Sequence, residues 1–286
     1  NMKQRNRGYI NNGDGTLAGF DISSDICATT SVKIGDINGD GFPDVVVGNM
    51  GRENQLFLND RSGAFLAGMD ITDDIFDTFC VALGDVNGDG RLDVVTGNYG
   101  SKNRLYLNTG KPFPFFGVTG QSVSDDTGNT LSLELTDMNG DGRLDVVAGN
   151  YDGTNRLYLN KGTETPFDGV DGMDITNDKD KTFSVASGDL DGDGDLDLVA
   201  GNVGAPDRLY LNNGTDIPFG EVMGISVSDH SYETLCVLVC DVDNDRVLDI
   251  ISGHKDAPGG VYRNPGRPQR RYGLLCSEEE APPFPE

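Results

Sequence analysis

The feature that most constrains this chain is an internal repeat. An aspartate-led motif begins at five positions that are 49, 52, 52 and 52 residues apart. These positions are Asp36, Asp85, Asp137, Asp189 and Asp241. A threonine lies seven residues before each aspartate, and an isoleucine or valine lies fourteen residues before it. Such self-similarity at a fixed period indicates repeated supersecondary units that stack on one another.

Each unit predicts four short β-strands separated by turn signals. In the fourth unit, the expected strands are Thr182 to Gly188, Leu198 to Gly201, Arg208 to Asn212 and roughly Phe219 to Val227. No ten-residue stretch of the chain has helical periodicity, which disfavours parallel βαβ architectures. The sequence therefore predicts an all-β fold built from four-stranded antiparallel sheets.

Repeated four-stranded sheets of about 50 residues are typical of β-propeller blades, which protect their strand edges by radial closure. A linear β-solenoid is the alternative. The third-strand pattern, such as Leu157-Tyr158-Leu159-Asn160, occurs six times and the aspartate motif five times, so the repeat starts and stops within a unit. We expect residues 1–264 to form five blades, closed by a strand at Leu17 to Ile22, with a piece of a longer array as the alternative.

The repeated motif has the composition of a metal-binding loop. Oxygen-bearing side chains at positions one, three, five and nine, with a backbone carbonyl at position seven, suit a hard cation that needs six or seven oxygen ligands. The expected side-chain ligands are Asp36, Asn38, Asp40 and Asp44; Asp85, Asn87, Asp89 and Asp93; Asp137, Asn139, Asp141 and Asp145; Asp189, Asp191, Asp193 and Asp197; and Asp241, Asp243, Asp245 and Asp249. The expected carbonyl ligands belong to Phe42, Arg91, Arg143, Asp195 and Val247.

Calcium is the ion that these loops predict. An EF-hand would carry a glutamate at position twelve and flanking helices, whereas position twelve here falls within a strand. Magnesium is disfavoured because it retains several waters. Metal-free turns are the alternative, but carboxylates crowded into nine residues would repel one another. We expect four full sites and a weaker fifth, because Asn244 and Arg246 replace two loop glycines and Arg246 adds positive charge.

These loops resemble the FG-GAP/VCBS repeats, the Asp-x-Asp-x-Asp-Gly-x-x-Asp propeller repeats of integrin α heads and many secreted proteins. The resemblance covers about residues 7 to 264. It implies a propeller in which calcium loops join the first two strands of each blade, outside the cell. It also implies a role in sugar recognition, in cell adhesion or beside a catalytic domain. Such relatives more often have seven blades, so a fragment of a seven-bladed propeller is an alternative.

Charge and motifs narrow the function. The formal charge of −25 disfavours nucleic-acid binding, and no apolar stretch is long enough to insert in a membrane. No nucleophile elbow or phosphate loop is present, so we expect no enzyme activity. We expect a secreted or cell-surface binding module for a glycan or an extracellular protein, with Arg52-Glu53 and the corresponding loops as contact regions. A structural unit of a surface array and an accessory domain of a secreted enzyme are alternatives.

Three smaller features of the sequence depart from the repeat. Residues 265–286 have the composition of a proline-rich, charged tail or linker. The histidines His230 and His254 replace an aspartate and an asparagine of the repeat, and they indicate either drift or a weak metal or acid–base centre. The cysteines are expected to be buried free thiols, since no metal-finger spacing occurs. They are Cys27, Cys80, Cys236, Cys240 and Cys276.

Overall fold

The computed structural model describes residues 4–24 and 26–266, and every named element in those ranges is a β-strand. None of the described residues belongs to a helix that could cross a membrane. The chain divides into two compact units, Asn1–Thr127 with Gly162–Gly169 and Gly128–Lys161 with Val170–Glu286. Residues 267–286 of the expected tail, including Cys276, lie outside the described residues, as does Asp25.

The first unit contains a hairpin and two four-stranded meanders. The hairpin consists of β1 (Arg7–Asn11) and β2 (Leu17–Asp21), paired antiparallel. The first meander consists of β3 (Thr29–Gly35), β4 (Asp44–Arg52), β5 (Gln55–Phe57) and β6 (Met69–Asp70). The second meander consists of β7 (Phe76–Gly84), β8 (Asp93–Ser101), β9 (Arg104–Tyr106) and β10 (Gln121–Ser122). Within each meander, strands that follow one another in the chain pair antiparallel.

The second unit contains three further meanders. The third consists of β11 (Gly128–Thr136), β12 (Asp145–Asn150), β13 (Arg156–Tyr158) and β14 (Met173–Asp174). The fourth consists of β15 (Thr182–Gly188), β16 (Asp197–Asn202), β17 (Arg208–Tyr210) and β18 (Ile225–Ser226). The fifth has three strands among the described residues, β19 (Glu233–Cys240), β20 (Asp249–Lys255) and β21 (Gly260–Tyr262). The sequence prediction of an all-β, antiparallel fold is therefore confirmed.

The second strand of each meander is its most buried element. In β4, Val45, Val46 and Val47 are all buried, so both faces of the strand are covered. A run of β-branched residues suits such a strand, because branched side chains pack well on a pleated surface. Gly48 follows in the same strand, and a Cβ at this position would lie 2.8 Å from Cγ2 of Val81. The absence of a side chain at Gly48 therefore allows the second meander to approach the first closely.

The repeated threonine belongs to a buried hydrogen-bond network. Thr78 Oγ1 donates to Asn98 Oδ1 at 2.8 Å, and Asn54 Nδ2 donates to Thr78 Oγ1 at 3.0 Å. Thr130 with Asn150 and Thr182 with Asn202 repeat the first of these bonds in the second unit, also at 2.8 Å. Buried polar groups are costly unless they are paired. The network therefore explains why each meander carries a threonine at this position.

Three expectations need correction. The fourth strand of the fourth meander is Ile225–Ser226 rather than Phe219 to Val227. The residues before it form a turn, in which the N–H of Val222 donates to the carbonyl of Phe219 at 3.2 Å. The strand expected to close the last blade, near Leu17 to Ile22, instead forms a two-stranded sheet with Arg7–Asn11. Cys236 is exposed rather than buried, whereas Cys27 is buried as expected.

Candidate metal centres

Each candidate metal loop connects the first and second strands of a meander. In the second meander, β7 ends at Gly84, the loop begins at Asp85, and position nine of the motif, Asp93, is the first residue of β8. The other four loops follow the same arrangement, with position nine at Asp44, Asp145, Asp197 and Asp249. The antiparallel pairing of Gly84 with Asp93 therefore brings the two ends of the motif together.

Backbone N–H groups draw the side-chain oxygens of each loop inward. In the second loop, the N–H of Asp89 donates to Asp85 Oδ1 at 2.9 Å and to Asn87 Oδ1 at 3.1 Å. The N–H of Gly90 donates to Asp85 Oδ2 at 2.7 Å. The N–H of the position-seven residue, Arg91, donates to Asp89 Oδ1 at 3.0 Å. Positions one, three and five are thus collected on the inside of one tight turn.

The turn requires a left-handed backbone at position six. The φ angle there is +87° at Gly41, +82° at Gly90, +84° at Gly142 and +100° at Gly194. Glycine adopts such angles without steric cost because it has no Cβ. In the fifth loop, Asn244 at position four and Arg246 at position six have φ angles of +63° and +73°, so this loop keeps the shape of the others. Asparagine tolerates the left-handed region, whereas Arg246 is strained in it.

Position nine is the buried anchor of the loop. Asp93 has no exposed surface; its Oδ2 accepts the N–H of Val86 at 3.1 Å and its Oδ1 accepts the N–H of Asn108 at 2.8 Å. Burial, together with the negative charges of Asp89 and Asp85, raises the pKa of Asp93 to about 6. The two backbone hydrogen bonds lower this pKa, but their effect is smaller than that of burial. Asp145 and Asp197 are buried in the same way, and burial raises the pKa of each to about 6.

The fourth and fifth loops bring carboxylates closest together. One carboxylate oxygen from each of Asp189, Asp191 and Asp197 lies within 4.8 Å of the others, and the same holds for Asp241, Asp243 and Asp249. Clusters of oxygen donors of this kind could hold a hard metal ion, which would offset the mutual repulsion of their charges. These six residues are among the ligands expected from the sequence motif, whereas the position-five residues Asp193 and Asp245 are not part of either cluster.

Cations of the chain accompany position five in the first three loops. Arg61 Nε lies 3.1 Å from Asp40 Oδ2, and Arg91 and Arg143 pair with Asp89 and Asp141. In the fourth loop, position seven is Asp195, which adds a fifth carboxylate to the motif. In the fifth loop, Arg263 Nε lies 4.0 Å from Asp243 Oδ2. The loops therefore share one backbone design but differ in local charge.

The two histidines meet on one aromatic ring. His230 stacks on Tyr232 with the ring centroids 4.9 Å apart, and His254 contacts the same tyrosine at 4.6 Å. His254 Nδ1 lies 2.6 Å from the carbonyl of Pro258, which makes Nδ1 the donor, and Nε2 lies 2.7 Å from Ser252 Oγ. His254 thus takes over part of the role of the repeated asparagine, as in Asn202 Nδ2 to the carbonyl of Pro206 at 2.9 Å.

A cleft in the first unit was not predicted from the sequence. Leu56 and the segment Met69–Ile71 line one side, and the turn 113–116 of the second meander lines the other. The sequence does carry a sign of this cleft, because Phe113 and Phe116 stand where the third meander has Thr165 and Asp168. Binding residues are found disproportionately on loops, so these two departures from the repeat in a turn are candidates for binding.

Comparison with known proteins identifies the repeat. A family model described as FG-GAP-like repeat matches five overlapping segments, residues 1–47, 36–96, 85–148, 137–200 and 189–252. Cartilage acidic protein 1 of Xenopus tropicalis is 30% identical over 146 residues, which are 50% of this chain and 21% of that protein. The human protein of the same name is 32% identical over 108 residues, 37% of this chain and 16% of that protein. The chain thus spans about a fifth of the length of these relatives.

Two solved structures share the fold. An Agrocybe aegerita lectin that recognises non-reducing terminal N-acetylglucosamine superimposes with a TM-score of 0.64 at 19% identity, covering 95% of this chain and 73% of the lectin. The V. cholerae biofilm matrix protein Bap1 superimposes with a TM-score of 0.54 at 18% identity, covering 84% of this chain and 38% of Bap1. At these identities the likeness concerns the fold alone.

Proposed function

Since this chain belongs to the FG-GAP-like repeat family, we propose that it is an extracellular, calcium-stabilised β-propeller that serves as a non-catalytic binding module for a glycan or a protein. The observation that carries this proposal is the recurrence of one loop design in all five meanders. In each loop, position nine is buried and the N–H of position five donates to position one, at 2.9 Å from Asp89 to Asp85 in the second loop.

Calcium is the proposed ion because the ligand set contains only oxygen donors from side chains and one backbone carbonyl. When bound, calcium would neutralise carboxylates that the fold crowds together. The chain's own contribution is to hold them: position nine ties the loop to the third strand, as in Asp145 Oδ1 with the N–H of Asn160 at 2.8 Å. We propose four full sites and a weaker fifth at Asp241, where Arg246 adds a positive charge to the loop.

The propeller is proposed from the way meanders stack within each unit. Gly201 has the same close relation to the following meander as Gly48, because a Cβ on Gly201 would lie 2.7 Å from Cγ1 of Val237. A face-to-face stack of this kind, repeated along a chain, is the packing that builds a propeller. Five blades is the proposed number, with a fragment of a seven-bladed propeller as the alternative. Electron microscopy of single particles would count the blades directly.

Two experiments test the calcium part. Titration calorimetry on metal-free protein should show four full calcium sites and a weaker one, whereas magnesium should give little heat. Thermal unfolding should show a melting temperature that falls by roughly 10 °C or more in excess chelator, because a ligand that binds only the native state stabilises it. An unchanged melting temperature would exclude a stabilising role for calcium.

A glycan array probed with and without calcium tests the binding part. The likeness in fold to a lectin and to a biofilm matrix protein supports recognition of sugars or extracellular partners. A calcium-dependent hit against defined glycans would establish the sugar branch. Two other roles would be seen differently: ordered filaments under electron microscopy would indicate a structural unit of a surface array, and a catalytic domain in the same gene would indicate an accessory domain.

A further inference from the structure

The cleft between the first two meanders has the properties of a binding site. It encloses about 570 Å³, within the range of ligand pockets, and lies entirely in the first unit. Its base is formed by Leu56, Ile71 and Phe115, all buried, and its lining is almost wholly apolar. The only ionisable side chain among the described lining residues is Asp70, which is exposed. The cleft therefore offers one carboxylate at the edge of an apolar surface.

Two phenylalanines at the rim are exposed to solvent. Phe113 is 57% exposed and Phe116 is 82% exposed, whereas Phe115 in the same turn is only 3% exposed. The corresponding turns of the third and fourth meanders keep the proline and the buried phenylalanine but differ at the rim. They read Thr165-Pro166-Phe167-Asp168 and Ile217-Pro218-Phe219-Gly220. Packing of the turn thus uses the buried Pro114 and Phe115, which leaves the two rim rings available to a partner.

The carboxylate at the rim lacks the arginine found in the later meanders. Arg104, Arg156 and Arg208 begin the third strands of the second to fourth meanders, and Gln55 holds this position in the first. In the third meander, Arg156 pairs with Asp174, which is the counterpart of Asp70. Asp70 receives a hydrogen bond from Gln55 Nε2 at 3.3 Å, and within the described part of the chain no lysine or arginine forms an ion pair with it.

We propose that this cleft binds a lysine or arginine side chain of a protein partner, next to an apolar residue of that partner. The alkyl stem and the apolar neighbour would pack between the rim rings and the cleft floor, and the cationic head would reach Asp70. A cation beside phenylalanine faces and a carboxylate is attracted to both. The overall charge of −25 also favours basic partners, since complementary potentials steer association. The proposal rests on the binding role given above and specifies its site and partner class.

The experiment selects a phage-displayed library of random twelve-residue peptides on the full chain in calcium, with counter-selection on a Phe113→Ser/Phe116→Ser double variant. Both substitutions are at exposed positions, so the variant should keep the melting temperature of the parent. Recovered peptides should carry lysine or arginine beside an apolar residue. Synthetic versions of these peptides are then measured by calorimetry against single variants.

Three variants and two controls decide the outcome. Phe116→Ser, Asp70→Asn and Gln55→Arg should each weaken peptide binding at least tenfold, the last because the introduced guanidinium would pair with Asp70 as Arg156 pairs with Asp174. The controls Ile217→Ser, at the fourth-meander counterpart of Phe113, and Asp174→Asn, at the third-meander counterpart of Asp70, should bind as the parent does. Peptides without basic residues, or undiminished binding by Asp70→Asn and Gln55→Arg, would overturn the proposal.

The glycan array separates this proposal from the broader binding role. A glycan hit that is lost in Phe116→Ser would make the cleft a sugar site and overturn the assignment of a basic peptide. A glycan hit that persists in Phe116→Ser would support the binding role at another surface, and the peptide measurements would then decide the cleft by themselves.

Discussion

Asp145 Oδ1 accepts the backbone N–H of Asn160 at 2.8 Å, and Asp145 Oδ2 accepts that of Met138 at 3.0 Å. One buried carboxylate therefore joins the metal loop, the second strand and the end of the third strand of its meander. The same pair of bonds exists at Asp93 and at Asp197. Position nine of the motif is thus a structural residue of the fold as well as a predicted calcium ligand.

Replacing Asp145 with alanine should destabilise the protein even without calcium. Two buried N–H groups would lose their acceptor, and each unsatisfied group costs about 1–3 kcal/mol. Asp137→Ala, at position one, should cost less in metal-free protein but should reduce the gain in stability on adding calcium. Urea unfolding of both variants, with calcium and with chelator, measures the difference. Equal losses in chelator would contradict the structural role of position nine.

Stability without calcium should depend on pH in an unusual direction. Burial raises the pKa of Asp93, Asp145 and Asp197 to about 6, whereas the pKa of an unfolded aspartate is about 3.9. Between these values the native state binds more protons, so the free energy of unfolding from these groups falls as pH rises through about 6. Thermal scans of protein depleted of calcium should therefore give a higher melting temperature at pH 5 than at pH 7.5.

Added calcium should reverse this trend. Carboxylates must lose their protons to bind a metal, so calcium affinity should fall as pH drops below about 6. The Asp197→Asn variant supplies the control, since it removes one of the three groups and should flatten the metal-free profile. A melting temperature that rises steadily from pH 5 to pH 7.5 in metal-free protein would show that these three carboxylates do not dominate.

Restoring glycine in the fifth loop should stabilise the protein. Arg246 has a φ angle of +73°, a left-handed conformation that costs a residue with a side chain about 1 kcal/mol. Arg246→Gly removes this strain and one positive charge from the loop, so both the melting temperature and the calcium affinity of this loop should rise. Differential scanning calorimetry and a calcium titration measure the two effects. As a control, Arg263→Gln lowers the charge near Asp243 without changing the loop backbone.

The fifth meander offers a test of the buried network. Thr234 Oγ1 donates to Asp207 Oδ2 at 3.1 Å, whereas Thr182 donates to Asn202 of its own meander. His254→Ala should cost about 1–3 kcal/mol, because Ser252 Oγ is buried and would lose its partner. His254→Asn should cost less, since an amide can repeat the bond of Asn202 to a carbonyl four residues later. Chemical unfolding of both variants gives their free energies of unfolding. Equal values would reject the inference that His254 takes over the hydrogen bond of the repeated asparagine.

Much of the fold could be predicted from the sequence because its signals are local and repeated. Strand β15 begins and ends where the pattern placed it, at Thr182 and Gly188, since alternation and glycine turns act within a few residues. The sequence pattern predicts too long a strand at β18, because the turn before it contains Phe219, whose apolar side chain resembles that of a strand residue. Burial of Phe219 comes from packing in the second unit's core, which a local pattern does not report.

The sequence by itself determined the repeat, the oxygen donors of the loops and the positions that need a left-handed backbone, because these follow from residue type and spacing. Only the tertiary structure decided how the side chains are used. It buried position nine as an anchor. It also placed Gln55, which stands where later meanders have arginine, next to Asp70. It also brought Phe113 and Phe116 opposite Met69. Such contacts join residues distant in the chain, so their energies depend on packing between meanders and not on local pattern.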